Sequence, residues 1–323
     1  MEIILAQPRG FCAGVKRAIK IVETALTLYG RTVWVIHEIV HNTHVIKNLS
    51  RAGARFVEDI SEIPPGSITI FSAHGVSTAV EKRAAEMGLE TIDATCPLVK
   101  KVHHQAQRYA QNGHVIVIIG HHGHPEVEGT LGRVTGEVHV VSTIEDINDL
   151  RVSSPDKLAY VTQTTLSTDD TRDLIEGLKR KFPAIRGPNL EDICYATQSR
   201  QDAVRKISQS IDVLLVVGSP NSSNSNRLRE TGAARGLPAY LVDNAEAIDM
   251  KWLEGMKKVG ITAGASAPEI LVQNVIERLS KYFDVSVTTM EGRGESMRFK
   301  QPVFPKIESA SKPLEILPEG DAQ

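Results

Sequence analysis

Apolar positions along the chain fall into two periods. Three runs have helical spacing: Val15, Ala18, Ile19, Val22 and Leu26; Val99, Val102, Ala106 and Tyr109; and Ala203, Val204, Ile207 and Ile211. Residues three and four apart share one helix face, so each run predicts a helix with a single apolar stripe. A β-rich run follows each helix (Thr32–Ile36, His114–Ile119 and Asp212–Val217) and ends in a polar loop starting at His37, Gly120 or Gly218. Later in each third another strand is predicted, at Ser67–Phe71, Lys157–Val161 and Lys258–Thr262, running into polar loops at Ser72, Thr162 and Ala263. Strands alternating with helices at this spacing predict parallel α/β units. In such units the loops at the carboxyl ends of the strands share one edge, where ligands bind.

The layout occurs three times. Cys12, Cys96 and Cys194 each lie in a turn-rich segment just ahead of one of the three helices. From cysteine to first loop, measured to His41, His124 and Asn224, the steps are 29, 28 and 30 residues. To the second loop, measured to His74, Thr164 and Ser266, they are 62, 68 and 72. The letters differ between thirds, so the repeat is one of layout. The chain is expected to divide into residues 1–96 (Cys12, His41, His74), 97–194 (Cys96 at its start, then His124, Glu126, Thr164) and 195–284 (Cys194 at its start, then Ser222, Asn224, Ser266). Residues 285–323, with Pro302, Pro305, Pro313 and Pro318, read as an extended C-terminal arm with a frayed, disordered end. Three small parallel-sheet units with their loop edges together would bring three cysteines and six polar loops to one centre.

Composition narrows the possible roles. At 323 residues, 41% hydrophobic and 24% charged, the chain can bury a substantial core. Its 37 Lys and Arg against 39 Asp and Glu give no basic excess, which argues against nucleic acid as a partner. The longest clean apolar run, Val115–Ile119, is far short of a membrane span, and the N-terminus lacks a secretory pattern, so a cytoplasmic location is expected. An odd count of three cysteines in a reducing compartment argues against disulfides.

The candidate chemistry starts from those cysteines. Three scattered thiols are by default buried small hydrophobes, but three at helix starts around one centre suit a metal. Thiolates favour iron–sulfur clusters and zinc. Three cysteines without a fourth would leave one iron of a [4Fe–4S] cluster open to substrate, whereas zinc would take a histidine as well. The loops holding His41, His74, His124, Ser222, Ser223, Asn224 and Ser266 follow strands and precede helices, a geometry suited to phosphate. Glu126, just after His124 and Pro125, could relay a proton or be an ordinary first-turn acid. Thr164 and Thr165 could position a hydroxyl or cap a helix. Two rival roles remain at this point: a zinc or di-metal phosphohydrolase built on His122, His124 and Glu126, and a non-catalytic iron–sulfur carrier or sensor.

The motifs themselves resemble a known family. Pro8–Val15, His41-Asn42, Ser72–Ser77, Asp93–Val99, Gly123–Gly129, Thr162–Ser167, Asp192–Thr197, Asn221–Leu228 and Thr262–Pro268 occur in order and resemble the 4-hydroxy-3-methylbut-2-enyl diphosphate reductases, the iron–sulfur oxidoreductases that end the methylerythritol phosphate (non-mevalonate) route to isoprenoids. The resemblance implies an α/β trefoil around a [4Fe–4S] cluster ligated by Cys12, Cys96 and Cys194. It implies that His41, His74, His124, Ser222, Ser223, Asn224 and Ser266 hold the substrate's diphosphate. Thr164 would lie near the C4 hydroxyl, and Glu126 would supply protons. It further implies ferredoxin or flavodoxin as electron donor, and isopentenyl and dimethylallyl diphosphate as products.

Overall fold

A computed structural model describes residues 1–188, 192–292 and 294–305. The first third contains β1 (Glu2–Leu5), α1 (Ala13–Tyr29), β2 (Val33–Ile36), α2 (Thr43–Arg51), β3 (Ala54–Val57), β4 (Ile68–Phe71), α3 (Thr78–Glu86) and β5 (Glu90–Asp93). The second contains α4 (Pro97–Gln111), β6 (Val115–Ile119), α5 (Pro125–Leu131), β7 (Val138–Val141), α6 (Ile144–Asp149), β8 (Leu158–Thr162) and α7 (Thr168–Lys181). The last contains α8 (Tyr195–Ile207), β9 (Val213–Val217), α9 (Ser223–Ala233), β10 (Ala239–Val242), β11 (Lys258–Ala263), α10 (Glu269–Ser280) and β12 (Ser286–Thr289).

The strands form three sheets, ordered β3-β2-β4-β5, β7-β6-β8 and β10-β9-β11-β1-β12, with every pairing parallel. Each sheet has the same kernel. The strand after the cysteine helix is central, the next strand lies at one edge, and the third pairs on the other side. The central strands β6 and β9 are buried throughout, as sheets covered on both faces require, so they read as unbroken apolar runs. The edge strands β3, β7 and β10 are four residues each and partly exposed, and the apolar pattern does not announce them.

Two parts of the expected division change. β1 falls within residues 1–96 yet pairs with β11 and β12, so it belongs to the third sheet. The segment from 285 onward, expected to be an arm, starts as the edge strand β12. It then runs back over the molecule: the Lys300 carbonyl accepts from Arg17 Nε at 2.7 Å, and the Pro305 carbonyl from Tyr29 Oη at 2.9 Å. The frayed end expected beyond this point, 306–323, lies outside the described residues.

The placement of β1 explains how the cysteines meet. β5 ends one sheet and leads through Cys96 into α4, which packs on the next. Arg186 bridges to Ala159 beside β8, in the segment before Cys194. β1 lies in the third sheet and leads through Cys12 into α1, which packs on the first. Every cysteine is thus at a crossing between units. In each, its backbone N–H donates to the carbonyl of the loop after the preceding sheet's third strand: Cys12 to Ala265, Cys96 to Ala73 and Cys194 to Thr164, at 3.0–3.1 Å. A cation steadies each crossing. Arg17 Nη1 donates to the Ala94 and Thr95 carbonyls ahead of Cys96. Fully buried Arg200 donates to the Gly10 carbonyl ahead of Cys12. Lys101 lies 3.9 Å from Asp192 ahead of Cys194.

Candidate active site

The carboxyl edges of the three sheets surround one cavity with about 700 Å³ of space between its walls, mouth included. Every residue that the family resemblance assigns a role lines it: Cys12, Cys96, Cys194, His41, His74, His124, Glu126, Thr164, Ser222, Ser223, Asn224 and Ser266. Of the rival hydrolase set, His122 is exposed and does not line it. His103, His104, His114 and His139 also lie outside; His103 is buried under Gly75, whose left-handed φ of 78° and missing Cβ admit the ring.

The cysteines occupy the N-cap positions of α1, α4 and α8. Val15 N and Thr197 N donate to the sulfurs of Cys12 and Cys194 at 3.5 and 3.4 Å. Burial pushes the Cys96 thiol up to about 12 and the Cys194 thiol to about 11, and the neighbouring thiols push in the same direction. Metal coordination would reverse this, since a bound cation holds a thiol deprotonated. The space fits such a group as well: a Cβ on Gly14 would lie 2.8 Å from Cys96 Sγ and 3.8 Å from Cys12 Sγ, so the bare α-carbon leaves a gap flanked by two sulfurs.

Opposite the cysteines, three imidazoles form a triangle. The His41 and His74 rings stack at 4.2 Å, and His124 meets them edge-on at 5.6 and 5.8 Å. Burial, with help from the neighbouring imidazoles, holds His74 well below its usual value and His124 at about 3. Both are therefore neutral in the empty cavity at pH 7. His124 Nδ1 accepts from Glu126 N at 3.2 Å as the cap of α5, which leaves the neutral ring's proton on Nε2. His41 Nε2 and both amide atoms of Asn224 are buried with no hydrogen-bond partner among the described residues. Buried polar atoms are rarely left so, and these line a cavity where a polar ligand would satisfy them. The N-termini of α2 and α9, capped by Asn42 and Ser222, add backbone donors and positive dipole ends.

Glu126 connects the two halves. Its carboxyl is 2% exposed; Oε1 accepts from Thr164 N at 2.6 Å and Oε2 from Thr164 Oγ1 at 3.0 Å. Burial raises its pKa to about 7 despite those hydrogen bonds, with Asp192 adding to the rise. A carboxyl poised there gives and takes protons near neutrality. Sequence reasoning passes over Glu38, whose Oε2 accepts from His41 Nδ1 at 3.0 Å and from Asn221 Nδ2 at 2.8 Å. It holds the His41 ring and ties it to the Ser222–Asn224 loop of the third unit. The one available signal was its place three residues before His41.

A family model described as LytB protein matches residues 3–280. The chain belongs to the LytB family. It is 55% identical over 302 residues to the 4-hydroxy-3-methylbut-2-enyl diphosphate reductase of Zymomonas mobilis, covering 94% of this chain and 89% of that one. It is 56% identical to the enzyme of the same name from Azoarcus sp., covering 93% and 96%. Among LytB-type solved structures, the E-1-hydroxy-2-methyl-but-2-enyl-4-diphosphate reductase of Plasmodium falciparum superposes with a TM-score of 0.88 at 39% identity, covering 93% of this chain and 95% of that one. A second, the (E)-4-hydroxy-3-methyl-but-2-enyl diphosphate reductase described as the terminal enzyme of the non-mevalonate pathway, gives 0.62 at 33% identity, covering 87% and 99%. The LytB family is one of iron–sulfur enzymes. Among the described residues no helix is long and apolar enough to cross a membrane.

Proposed function

We propose that this chain is a reductase that removes the C4 hydroxyl of (E)-4-hydroxy-3-methylbut-2-enyl diphosphate. Two electrons and two protons enter, the C–O bond breaks, and water leaves, giving isopentenyl and dimethylallyl diphosphate. The observation that carries the reading is the cavity in which three helix-capping thiols share the space with partnerless buried polar atoms of His41 and Asn224. A carrier or sensor would need the thiols alone. In this reading residues 1–96, 97–194 and 195–284 act as three units that each lend anion-binding groups, with Cys12 inside the first, Cys96 and Cys194 immediately ahead of the second and third, and β1 lent to the third sheet.

Cys12, Cys96 and Cys194 would hold a [4Fe–4S] cluster, which would supply single electrons and Lewis acidity. The remaining work falls to side chains. His41, His74, His124, Ser222, Ser223, Asn224 and Ser266 bind the diphosphate and so fix where the far end of the five-carbon chain lies. The Thr164 hydroxyl orients the substrate's C4 oxygen, and Glu126, hydrogen-bonded to it, holds the proton that departs with that oxygen. The apolar wall of Val15, Val40, Leu98 and Val99 keeps bulk water from the allylic carbons. Anaerobically purified protein should be brown and should oxidise a reduced viologen dye only when substrate is added. A colourless protein, or dye oxidation indifferent to substrate, would defeat the reading.

A further inference from the structure

Cys194 stands at a thin place in the cavity wall. Besides the cavity it lines an outward-facing groove whose floor is Leu98, Ile193, Tyr195 and Met297. Met297 is 45% exposed. Lys101 lies on the rim of this groove and also lines a second, larger groove along the solvent side of α4, which holds Arg108, Arg186 and His104. No carboxylate is among the described residues lining the second groove. In the first, Asp192 lies beneath Lys101 with its side chain fully buried. The chain as a whole carries a formal charge of −2, so this cationic border is a local feature.

The reaction proposed above consumes two electrons per turnover, and the cavity is too small to admit a protein that brings them. They must cross a wall, and electron transfer favours the shortest route. We propose that the face around Leu98, Tyr195 and Met297, bordered by Lys101, Arg108 and Arg186, is the docking surface for a small acidic one-electron carrier protein, with Cys194 as the point of entry. The inference rests on the reductase reading. Two carriers dock in succession; each is oxidised by one electron, and the pair reduces the C–O bond while two protons complete the water and the new C–H bond. An apolar floor excludes water beneath the contact, and a cationic rim steers an acidic partner and sets encounter rate, as small transient redox interfaces require.

The test uses holoenzyme prepared without oxygen and an oxidised, acidic plant-type [2Fe–2S] ferredoxin as probe, so that binding is read without turnover. Titration calorimetry should show a saturable complex that weakens as salt rises. The double variant Arg108→Glu/Arg186→Glu should bind about tenfold or more weakly while dye-driven turnover with dithionite-reduced viologen stays at the wild-type rate. Both arginines lie outside the cavity, so the dye assay reports on an intact site. Unchanged ferredoxin affinity in the variant, or no saturable binding by the wild type, overturns the proposal. Absence of dye-driven turnover in the wild type would defeat the reductase reading instead, and the binding measurement keeps the two failures apart.

Discussion

Replacing Glu126 by Gln separates the two consequences of burying a carboxyl beside the cysteines. Burial lifts the Glu126 pKa from 4.5 to about 7, so the folded state disfavours the ionised form by about 3 kcal/mol. The sign follows from proton counts. Between pH 4.5 and 7 the folded protein binds more protons at this site than the unfolded chain, so its contribution is complete below pH 4.5 and is lost as pH rises through about 7. Gln mimics the neutral carboxyl in shape and can still accept from Thr164 N, but it does not titrate. Every other group is common to both proteins, so the difference in melting temperature isolates this one. With an unfolding entropy of about 0.7 kcal/mol/K for a chain of this length, Glu126→Gln should gain about 5 °C over wild type on going from pH 4.5 to 8. Thermal melts followed by circular dichroism under anaerobic conditions measure it. The same variant should keep its iron and lose about 10²- to 10⁴-fold in kcat, the usual contribution of a positioned proton donor. A melting difference that does not change with pH would show that the carboxyl is not raised, and a kcat within tenfold of wild type would remove it as the proton source.

Other predictions follow from the same cavity. Burial and mutual repulsion keep His74 and His124 neutral when the cavity is empty, and a bound diphosphate favours their imidazolium forms. Binding should therefore take up protons near pH 7 and weaken as pH rises; calorimetry in buffers of different ionisation enthalpy reads the uptake, and zero uptake would refute the argument. Gly14→Ala puts a methyl into the gap between Cys12 and Cys96, so iron content should fall together with activity; full iron loading would show that the gap has no role. Glu38→Gln should raise the KM for the diphosphate severalfold with little change in kcat, because it loosens His41 and its link to Asn221 without touching Glu126 or Thr164; an unchanged KM would assign Glu38 to packing.

Much of this molecule is legible in short stretches of sequence. Helical periodicity after Cys12, Cys96 and Cys194 locates α1, α4 and α8, and five-residue apolar runs locate β6 and β9, because both patterns record which face of a local element is buried. The steps from cysteine to loop expose the threefold layout, and the motifs carry the family resemblance. Partnership between distant segments is another matter. That β1 closes the third sheet, that Arg17 and Arg200 secure the crossings ahead of Cys96 and Cys12, and that residues 294–305 run back to Arg17 and Tyr29 all depend on pairings between segments far apart in the chain. The edge strands β3, β7 and β10 are too short and too exposed to mark themselves. The pKa of Glu126 and the neutrality of His124 arise from desolvation, a property of everything packed around a group, and the thin wall at Cys194 from how the units pack together. Local pattern determines which elements form and which residues carry chemistry; only the assembled fold decides their electrostatics and which of them face the solvent.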